Sequence, residues 1–579
     1  MEQHSRHSAT SEPLADRPDA AIAVHQPFSL PPIADEKSLA LAITGFVALG
    51  VLLRAVRYLL NFPLWCDETM LAANFLDRSY RELLQPLDYR QVCPVLFLFV
   101  ELTAVKLFGF SESSLRLFPF LCGIGGVLLF RHVAGRIVRG EALLCAVAIF
   151  AVSSWPLRYV GEVKPYASDL LVALVVLALA IEWWRRPERV VWLCALAAVA
   201  PFAVGLSFPA IFVLGGVSLG LFPSIWRARR RGVWLAYSLF NGAVILTFLG
   251  LLRFYRTAPQ DHAYFHHDWS PAFPPLDSVW KLVAWFFTTN TGYMFAYPEG
   301  GERGASVLTF ACFVIAATAL WKRGRWTVLA FCLAPFGLAL IAAALHRYPY
   351  GMSARTMQYV APAICLLSGL GAALLLARLR GPGTHRLALW GFCGLLAVFG
   401  LGRMGYDLSH PYKGPDDERH RGFARWFWSE QSRHAELLCP KADLGVAFQP
   451  AHWTKDSTDT YLCYQRIYSP RHHLSRPSRL ETVSAKHPLR FVFFNEQPDK
   501  SPLFREWLTE MLRSYELRGV ERYPLSGTGR SERIVWDNLY LVYDFVPKRG
   551  QDPKAVLEIS SRLVRDRPDV DDVDGTVRR

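Results

Sequence analysis

Long apolar runs alternate with short polar connectors between residues 38 and 404. Many of these runs approach the roughly 20 residues that an α-helix needs to cross a bilayer. The pattern therefore predicts a polytopic α-helical membrane protein. We predict about eleven transmembrane helices, at 38–60, 114–130, 141–157, 166–184, 190–206, 208–226, 233–252, 304–321, 326–345, 356–377 and 387–404.

One apolar segment, PVLFLFVELTAVKLF at 94–108, fits a span poorly because it contains Glu101 and Lys106. At a rise of 1.5 Å per residue, a helix of this length covers about 22 Å of a hydrocarbon core that is roughly 30 Å thick. We interpret the segment as a helix that lies in the membrane interface.

The alternative is that segment 94–108 crosses the membrane, which would reverse the topology of everything before it. The N-terminus would then lie outside, and residues 61–93 would lie in the cytoplasm. Arg54 and Arg57, near the end of the first span, slightly favour this alternative.

The positions of the basic residues orient the remaining spans. Five connectors, at 131–140, 185–189, 227–231, 322–325 and 378–386, contain 16 Lys and Arg residues in total. The longer alternate connectors contain 8. Cytoplasmic loops carry the excess of positive charge, so we expect the five basic connectors to be cytoplasmic.

The composition of the chain agrees with this class. Of its 579 residues, 52% are hydrophobic and 19% are charged, which is less charge than a soluble protein of this size usually carries. The net charge of +14 is concentrated in the short connectors. We therefore expect contacts with anionic membrane lipids and no nucleic-acid partner.

After residue 404 the chain becomes rich in charged residues, proline and aromatics. LRFVFFN (489–495) and NLYLVYDFV (538–546) alternate like strands, whereas 421–434 and 502–519 resemble helices. We predict four regions: a disordered cytoplasmic N-terminus at 1–37, a transmembrane catalytic domain at 38–404 with its first outer loop at 61–113, an extracytoplasmic α/β domain at 405–549, and a flexible tail at 550–579.

Four polar stretches are predicted to lie at the outer membrane edge. They are Asp67–Glu68, RYVGEVKPYASD (158–169), RTAPQDHAYFHHDW (256–269) and HRYPYGMSAR (346–355). Each also has a structural interpretation: a helix end for Asp67–Glu68, a weak surface ion pair between Glu162 and Lys164, a solvated aromatic loop for 256–269, and snorkelling anchors for Arg347 and Arg355. Ionisable groups at membrane depth are costly and usually face a cavity or a partner, so their placement at one edge favours a shared function.

Several of these stretches resemble a known family. The sequence CDE at 66–68, the helix that starts after Pro94, LFGFSESSLRLFPFLCGIGGVLLF (107–130), GEVKPYA (161–167) and YPYGMSAR (348–355) resemble the GT-C membrane glycosyltransferases. The resemblance is to family 39, the protein mannosyltransferases, and to their bacterial aminoarabinose transferase relatives. It implies transfer of a sugar from a polyprenyl-phosphate carrier to a protein, lipid or glycan acceptor at the outer face, with inversion of the anomeric centre.

The resemblance also implies roles for individual residues. Asp67 matches the family's catalytic carboxylate, which takes the acceptor's proton or orients the acceptor, and Glu68 would assist it. Lys164 and Arg355 would bind the lipid phosphate. The residues implied in substrate binding are Arg116, Glu162, Lys164, Tyr166, Arg347, Tyr348 and Arg355.

The resemblance leaves metal use open, and Asp67 and Glu162 are the candidate ligands of a divalent metal ion. The chain departs from its relatives at QVCP, from Gln91 to Pro94, where they often have a charged residue. We expect an integral protein of a bacterial plasma membrane with its active site on the extracytoplasmic face.

A secondary transporter that uses membrane-edge carboxylates is the alternative function. It predicts midspan charges and repeated halves, and the sequence shows neither.

Overall fold

The structure is a computed structural model that describes residues 27–30, 34–254, 269–301, 304–428, 436–438, 463–464, 466–468, 489–494, 508–509, 511–523 and 540–549. Most of the predicted disordered segment 1–37 and all of the predicted tail 550–579 lie outside these residues. The polar stretch 256–269 also lies outside them, except for Trp269.

The described residues form α-helices over most of their length. In chain order these are α1 (Glu36–Leu59), α2 (Cys66–Ala72), α3 (Asn74–Asp77), α4 (Val95–Phe108), α5 (Glu112–Ile137), α6 (Gly140–Val152), α7 (Ser154–Arg158), α8 (Tyr166–Arg185), α9 (Val191–Leu206), α10 (Ala210–Ala228), α11 (Arg231–Phe254), α12 (Val279–Thr291), α13 (Val307–Lys322), α14 (Trp326–Ala344), α15 (Ala361–Leu376), α16 (Pro382–Ser409) and α17 (Pro415–Phe427). Short 3₁₀ helices occupy Glu82–Leu84, Asp88–Arg90, Tyr159–Gly161, Ser270–Ala272, Tyr293–Phe295 and Ala354–Val360.

Each of the eleven predicted spans coincides with helix in the structure. Among the described residues, eight helices are long and apolar enough to cross a membrane, and α6 with α7 and the turn after it form a ninth, bent by 45°. The other two predicted spans coincide with α9 and α13, which are apolar but have only 16 residues each. The segment predicted to lie in the interface is α4. It has 14 residues and is not among the helices that are long and apolar enough to cross a membrane.

The chain divides into two compact units. The first, here called the helical unit, comprises 1–61, 93–107 and 113–409. Its centre is α6, which packs against α1, α15 and α16. Helix α6 is apolar around its whole circumference, and its residues from Ala142 on are mostly buried, as expected for a helix surrounded by others. Gly369 allows close approach, because a Cβ there would lie 2.3 Å from the backbone nitrogen of Ala146.

The residues just before α1 pack against this unit. The backbone N–H of Phe28 donates to Ile137, and the N–H of Arg139 donates to the Phe28 carbonyl. The Phe28 side chain is 3% exposed, and the Arg323 guanidinium lies 4.0 Å from its ring centroid. Residues 27–30 are therefore packed, although the sequence pattern predicted disorder throughout 1–37. The contacts also place this segment at the same end of the helical unit as the basic connectors 131–140 and 322–325.

The second unit, here called the loop–sheet unit, comprises 62–92, 108–112 and the residues from 410 on. It contains α2, α3, α17 and a four-stranded sheet in the order β1–β2–β4–β3. The strands are β1 (Glu436–Leu438), β2 (Leu489–Phe494), β3 (Tyr515–Tyr523) and β4 (Tyr540–Pro547). Strand β1 is parallel to β2, and the other two pairs are antiparallel.

The two predicted strands of this region are confirmed as β2 and β4. The predicted helix 502–519 is helical at the described residues 508–509 and 511–514 and is wrong from Tyr515 on, where β3 begins. The stretch YELRGVERY pairs along its length with β4, with a bulge between Leu517 and Gly519. Pairing with a neighbouring strand overrides the local helix propensity here.

Candidate active site

The acidic pair Asp67–Glu68 lies in the first turn of α2. Trp65 precedes the helix in an extended conformation, and its backbone N–H donates to Glu68 Oε2 over 3.2 Å. The Thr69 hydroxyl donates to the Cys66 carbonyl over 2.8 Å. Carboxylates in a first turn also interact favourably with the helix dipole, so this local sequence favours a helix start.

The two carboxylates of the pair have different surroundings. Asp67 is half-buried, whereas Glu68 is completely buried. Glu68 Oε2 accepts a hydrogen bond from the ammonium of Lys413, whose side chain is 4% exposed. The Lys413 ammonium also lies 6.0 Å from the ring centroid of Trp65. The adjacent acids therefore differ in their surroundings: Glu68 is held within the protein, and Asp67 is the one that solvent reaches.

Residues after position 460 contact the same loop on both sides of the acidic pair. The Tyr464 hydroxyl donates to the backbone carbonyl of Leu64, just before α2. On the other side of α2, Arg466 forms ion pairs with Asp77, the last residue of α3, at 2.7 Å and with Asp88 at 3.7 Å. These contacts fix the chain before and after the helix that contains Asp67.

A second acid of the same unit is held in a similar way. Glu112 is 6% exposed, and its Oε1 accepts a hydrogen bond from the Tyr468 hydroxyl at 2.6 Å. Its Oε2 lies 3.3 Å from guanidinium nitrogens of both Arg421 and Arg425, which are residues of α17. Burial acts to lower the pKa of Arg421, but Glu112 and Glu418 together outweigh it, so its pKa is raised.

In the helical unit, the predicted stretch 158–169 forms the turn that leads into α8. Glu162 is 1% exposed and pairs with the guanidinium of Arg158 at 2.9 Å, one helical turn earlier. The sequence suggested Lys164 as its ion-pair partner. Lys164 is also buried, at 8% exposure, and lies within electrostatic range of the Cys93 thiol. Tyr166 stacks edge-on against Tyr159, with ring centroids 5.0 Å apart.

The structure brings this turn together with the predicted stretch 346–355. Helix α8 packs against the 3₁₀ helix Ala354–Val360. Burial raises the pKa of the Tyr348 phenol well above its usual value, with smaller contributions from Asp169 and Tyr166. Two of the four polar stretches predicted from the sequence therefore converge in the helical unit.

The two arginines of 346–355 differ in their surroundings. Arg347 is exposed, whereas Arg355 is half-buried and its guanidinium lies 4.9 Å from the ring centroid of Trp269. The aromatic face orients the Arg355 guanidinium without neutralising its charge. Arg116, in the first turns of α5, is 1% exposed. Arg116 is therefore buried, and Arg355 is half-buried against an aromatic ring.

Sequence analysis did not identify Lys413, Arg421, Arg425, Tyr464 or Tyr468. Lys413, Tyr464 and Tyr468 lie in stretches without periodicity. Arg421 and Arg425 belong to the predicted helix 421–434, but nothing in its sequence indicates Glu112 as their partner, so only the three-dimensional contacts reveal all five. Arg158 could have been identified from the sequence as the partner of Glu162, because it precedes Glu162 by four residues on a helical turn.

Glu101 has surroundings that the sequence did not indicate. Its side chain is completely buried in α4, and neither carboxylate oxygen has a hydrogen-bond partner among the described residues. Burial raises its pKa well above the usual value. Burial therefore favours the protonated form of this carboxyl group.

For the predicted metal ion, the part of the chain that the structure describes contains no group of three His, Cys, Asp or Glu side chains that could hold one. Glu162, a predicted ligand, is engaged by Arg158. The described residues therefore do not provide a complete set of protein ligands for a metal ion.

No protein-family model matches the sequence, and a search of curated proteins finds no match. Among solved structures, the chain is similar to ArnT from Cupriavidus metallidurans bound to undecaprenyl phosphate, with a TM-score of 0.48, 13% identity, and coverage of 87% of this chain and 97% of that chain. It is also similar to the apo form of the Archaeoglobus fulgidus oligosaccharyltransferase, with a TM-score of 0.47, 11% identity, and coverage of 90% of this chain and 77% of that one. A further structure of that oligosaccharyltransferase, in complex with Zn and sulfate, has a TM-score of 0.45 and 11% identity. These proteins are GT-C glycosyltransferases, which is the class that the sequence resembles.

Proposed function

We propose that the chain is an inverting glycosyltransferase that moves a sugar from a polyprenyl-phosphate carrier to an acceptor at the extracytoplasmic face of the membrane. The observation that carries the proposal is the contrast within the acidic pair. A pair that merely marked a helix end would expose both carboxylates to water. Here Glu68 is buried against Lys413, and Asp67 is left half-exposed at the start of the same helix.

Asp67 acts as the general base of this reaction. As the acceptor oxygen forms a bond to the anomeric carbon, its proton passes to the Asp67 carboxylate, and the bond from the anomeric carbon to the phosphate oxygen breaks. A single in-line displacement inverts the anomeric centre and leaves a polyprenyl phosphate. A positioned base of this kind typically contributes 10²- to 10⁴-fold to the rate.

Lys164 and Arg355 stabilise the leaving phosphate, and Arg116 assists them. Charge develops on the phosphate as the bond breaks, so cations already held in place lower the barrier. Arg355 presents a planar fork that matches two phosphate oxygens, whereas Lys164 contributes a point charge. Tyr166, Tyr348 and Arg347 belong to the same two stretches and contact the donor.

The topology of the helical unit supports an extracytoplasmic site. Phe28 pairs with the backbone at Ile137 and Arg139, so the chain returns to its starting end after α1 and α5. Two membrane crossings, by α1 and α5, account for that return. A third crossing, by α4, would place Phe28 and the connector 131–140 at opposite ends. Since 131–140 is a basic and therefore cytoplasmic connector, the loop between α1 and α5 lies outside.

A divalent metal ion remains a prediction of the resemblance, with Asp67 and Glu162 as its candidate ligands. No step of the reaction above depends on it.

The test is transfer in proteoliposomes that contain the purified protein, a radiolabelled undecaprenyl-phosphate sugar and a membrane extract as the source of acceptor. We expect label to leave the lipid carrier and appear in a covalent product. Uptake of labelled sugar into the vesicle lumen without cleavage of the phosphate bond would instead identify a transporter.

The phosphate site is tested by Arg355→Ala and Arg355→Lys. Loss of one charged contact in a sheltered site costs about 2–4 kcal/mol of transition-state stabilisation, which is roughly 30- to 1000-fold in rate. Arg355→Lys should also lose activity because the fork is lost. Arg380→Ala, in an exposed basic connector, is the matched control. Normal turnover and normal binding of undecaprenyl phosphate by Arg355→Ala would show that Arg355 is only a membrane anchor.

A further inference from the structure

The chain immediately after the last transmembrane helix reaches the acidic pair of the first outer loop. In the stretch HPYKGP (410–415), the Lys413 ammonium donates to Glu68 Oε2 across a sequence separation of 345 residues. The two side chains are 4% and 0% exposed. Two long side chains that are both buried in this way are held in one geometry, unlike an exposed ion pair, which fluctuates.

The oxygen that Lys413 contacts also determines where α2 starts. Glu68 Oε2 accepts the backbone N–H of Trp65 as well as the Lys413 ammonium. One carboxylate oxygen therefore links the residue before α2, the third residue of α2 and the segment after α16. Asp67 lies between Trp65 and Glu68, so its backbone is fixed on both sides.

The following helix, α17, places cations against a second buried acid, Glu112, which lies in the stretch 107–130 that resembles the GT-C family. Lys413 precedes α17 by two residues, and α17 presents Arg421 and Arg425 to Glu112. Within the loop–sheet unit, a single continuous segment thus supplies the cations for both buried acids, Glu68 and Glu112.

We infer that Lys413 is a positioning residue for the Asp67 carboxylate, acting through Glu68, and this inference rests on the proposed function. Lys413 has two effects. It fixes the first turn of α2, and it pairs with the buried glutamate next to Asp67 in the sequence, so that the Glu68 side chain is held in one position.

The test compares Lys413→Met, Lys413→Arg and the double variant Lys413→Met/Glu68→Gln with the wild-type protein. In Lys413→Met the turnover should fall about 10- to 100-fold, because the carboxylate is misplaced. The KM for the undecaprenyl-phosphate sugar should change by less than about twofold, because binding is unaffected. Lys281→Met is the matched control, because Lys281 forms an exposed pair with Asp277 in the helical unit.

The kinetic pattern across the variants separates positioning from a merely structural role. A smaller amount of folded protein would lower carrier binding and transfer together, whereas a misplaced carboxylate lowers turnover in protein that still binds the carrier. Lys413→Arg should retain more turnover than Lys413→Met because it keeps a cation that can pair with Glu68, and the double variant should lose no more than Lys413→Met because both substitutions remove the same contact. Unchanged turnover in folded, carrier-binding Lys413→Met would overturn the inference.

A second readout does not depend on activity. Cys66, the first residue of α2, is half-buried, and the exposed Cys194 of the helical unit is an internal reference. Alkylation measured by mass spectrometry should be faster at Cys66 in Lys413→Met and unchanged in Lys281→Met. Unchanged labelling at Cys66 would refute the fixing of α2 by Lys413. If the wild type transfers no sugar while Cys66 labelling responds as expected, the proposed function fails and the contact itself stands.

Discussion

Glu68 and Glu101 are both completely buried, and the protein treats them in opposite ways. Glu68, in the loop–sheet unit, binds an ammonium and a backbone N–H. Glu101, in the helical unit, has no hydrogen-bond partner among the described residues, and burial raises its pKa well above the usual value. A buried carboxyl group is thus ion-paired in one unit, whereas in the other unit its surroundings favour the protonated form. The difference lies in whether a cation is buried beside the acid or only apolar groups are.

Replacing each of the two glutamates by glutamine should give the largest difference in the free energy of unfolding. Glu68→Gln should lower the free energy of unfolding by about 3 kcal/mol, because Lys413 stays buried without its counter-charge. Glu101→Gln should change it by less than about 1 kcal/mol at pH 5, because glutamine resembles the protonated acid in shape and polarity. Titration with SDS in mixed micelles measures both values, and equal losses at the two sites would contradict the comparison.

The cluster around Glu112 shows how burial changes the strength of a pair. Arg421 and Arg425 lie at the same distance from one glutamate oxygen, but their side chains are 10% and 52% exposed. Arg421→Met should cost about 2 kcal/mol, because a buried carboxylate loses its sheltered cation. Arg425→Met should cost less than about 1 kcal/mol, as is typical of exposed ion pairs. Thermal unfolding of the two variants in detergent compares them directly, and the reverse order would refute this explanation.

The smallest effect concerns the pH dependence of stability. Because the pKa of Glu101 is raised on folding, the folded protein retains a proton that the unfolded chain releases. The associated stability is complete below the ordinary glutamate pKa and decreases as pH rises towards the raised value. Replacing Glu101 by Gln should therefore make stability fall less steeply between pH 6 and 7, by at most about 1.4 kcal/mol per unit. An unchanged slope would show that Glu101 is ionised in the folded protein.

Much of the fold could be predicted from the sequence, because it depends on local apolar runs. All eleven predicted spans coincide with helix, and the alternating stretches of the C-terminal region form β2 and β4. The failures are non-local. The last five residues of the predicted helix 502–519 belong to β3, which pairs with β4, and the Phe28 segment packs on a connector more than 100 residues away.

The candidate site could be predicted only in part, for the same reason. The sequence indicated Asp67 and Glu68 as a pair, but nothing local distinguishes their burial. That difference arises from Lys413, which lies in an aperiodic stretch far along the chain. The pairing of Glu162 with Arg158 is different, because their spacing of four residues on a helical turn was a local signal that could have indicated it.

The central claim, that Asp67 is the base, is tested most directly by single-turnover transfer with Asp67→Asn and Glu68→Gln purified in parallel. Asparagine preserves the size of Asp67 but cannot accept the proton, so Asp67→Asn should lose roughly 100-fold or more in rate while still binding undecaprenyl phosphate. Glu68→Gln should be milder, because its carboxylate anchors α2 and does not meet the acceptor. If Asp67→Asn retains more than about a tenth of the wild-type rate, Asp67 is not the base.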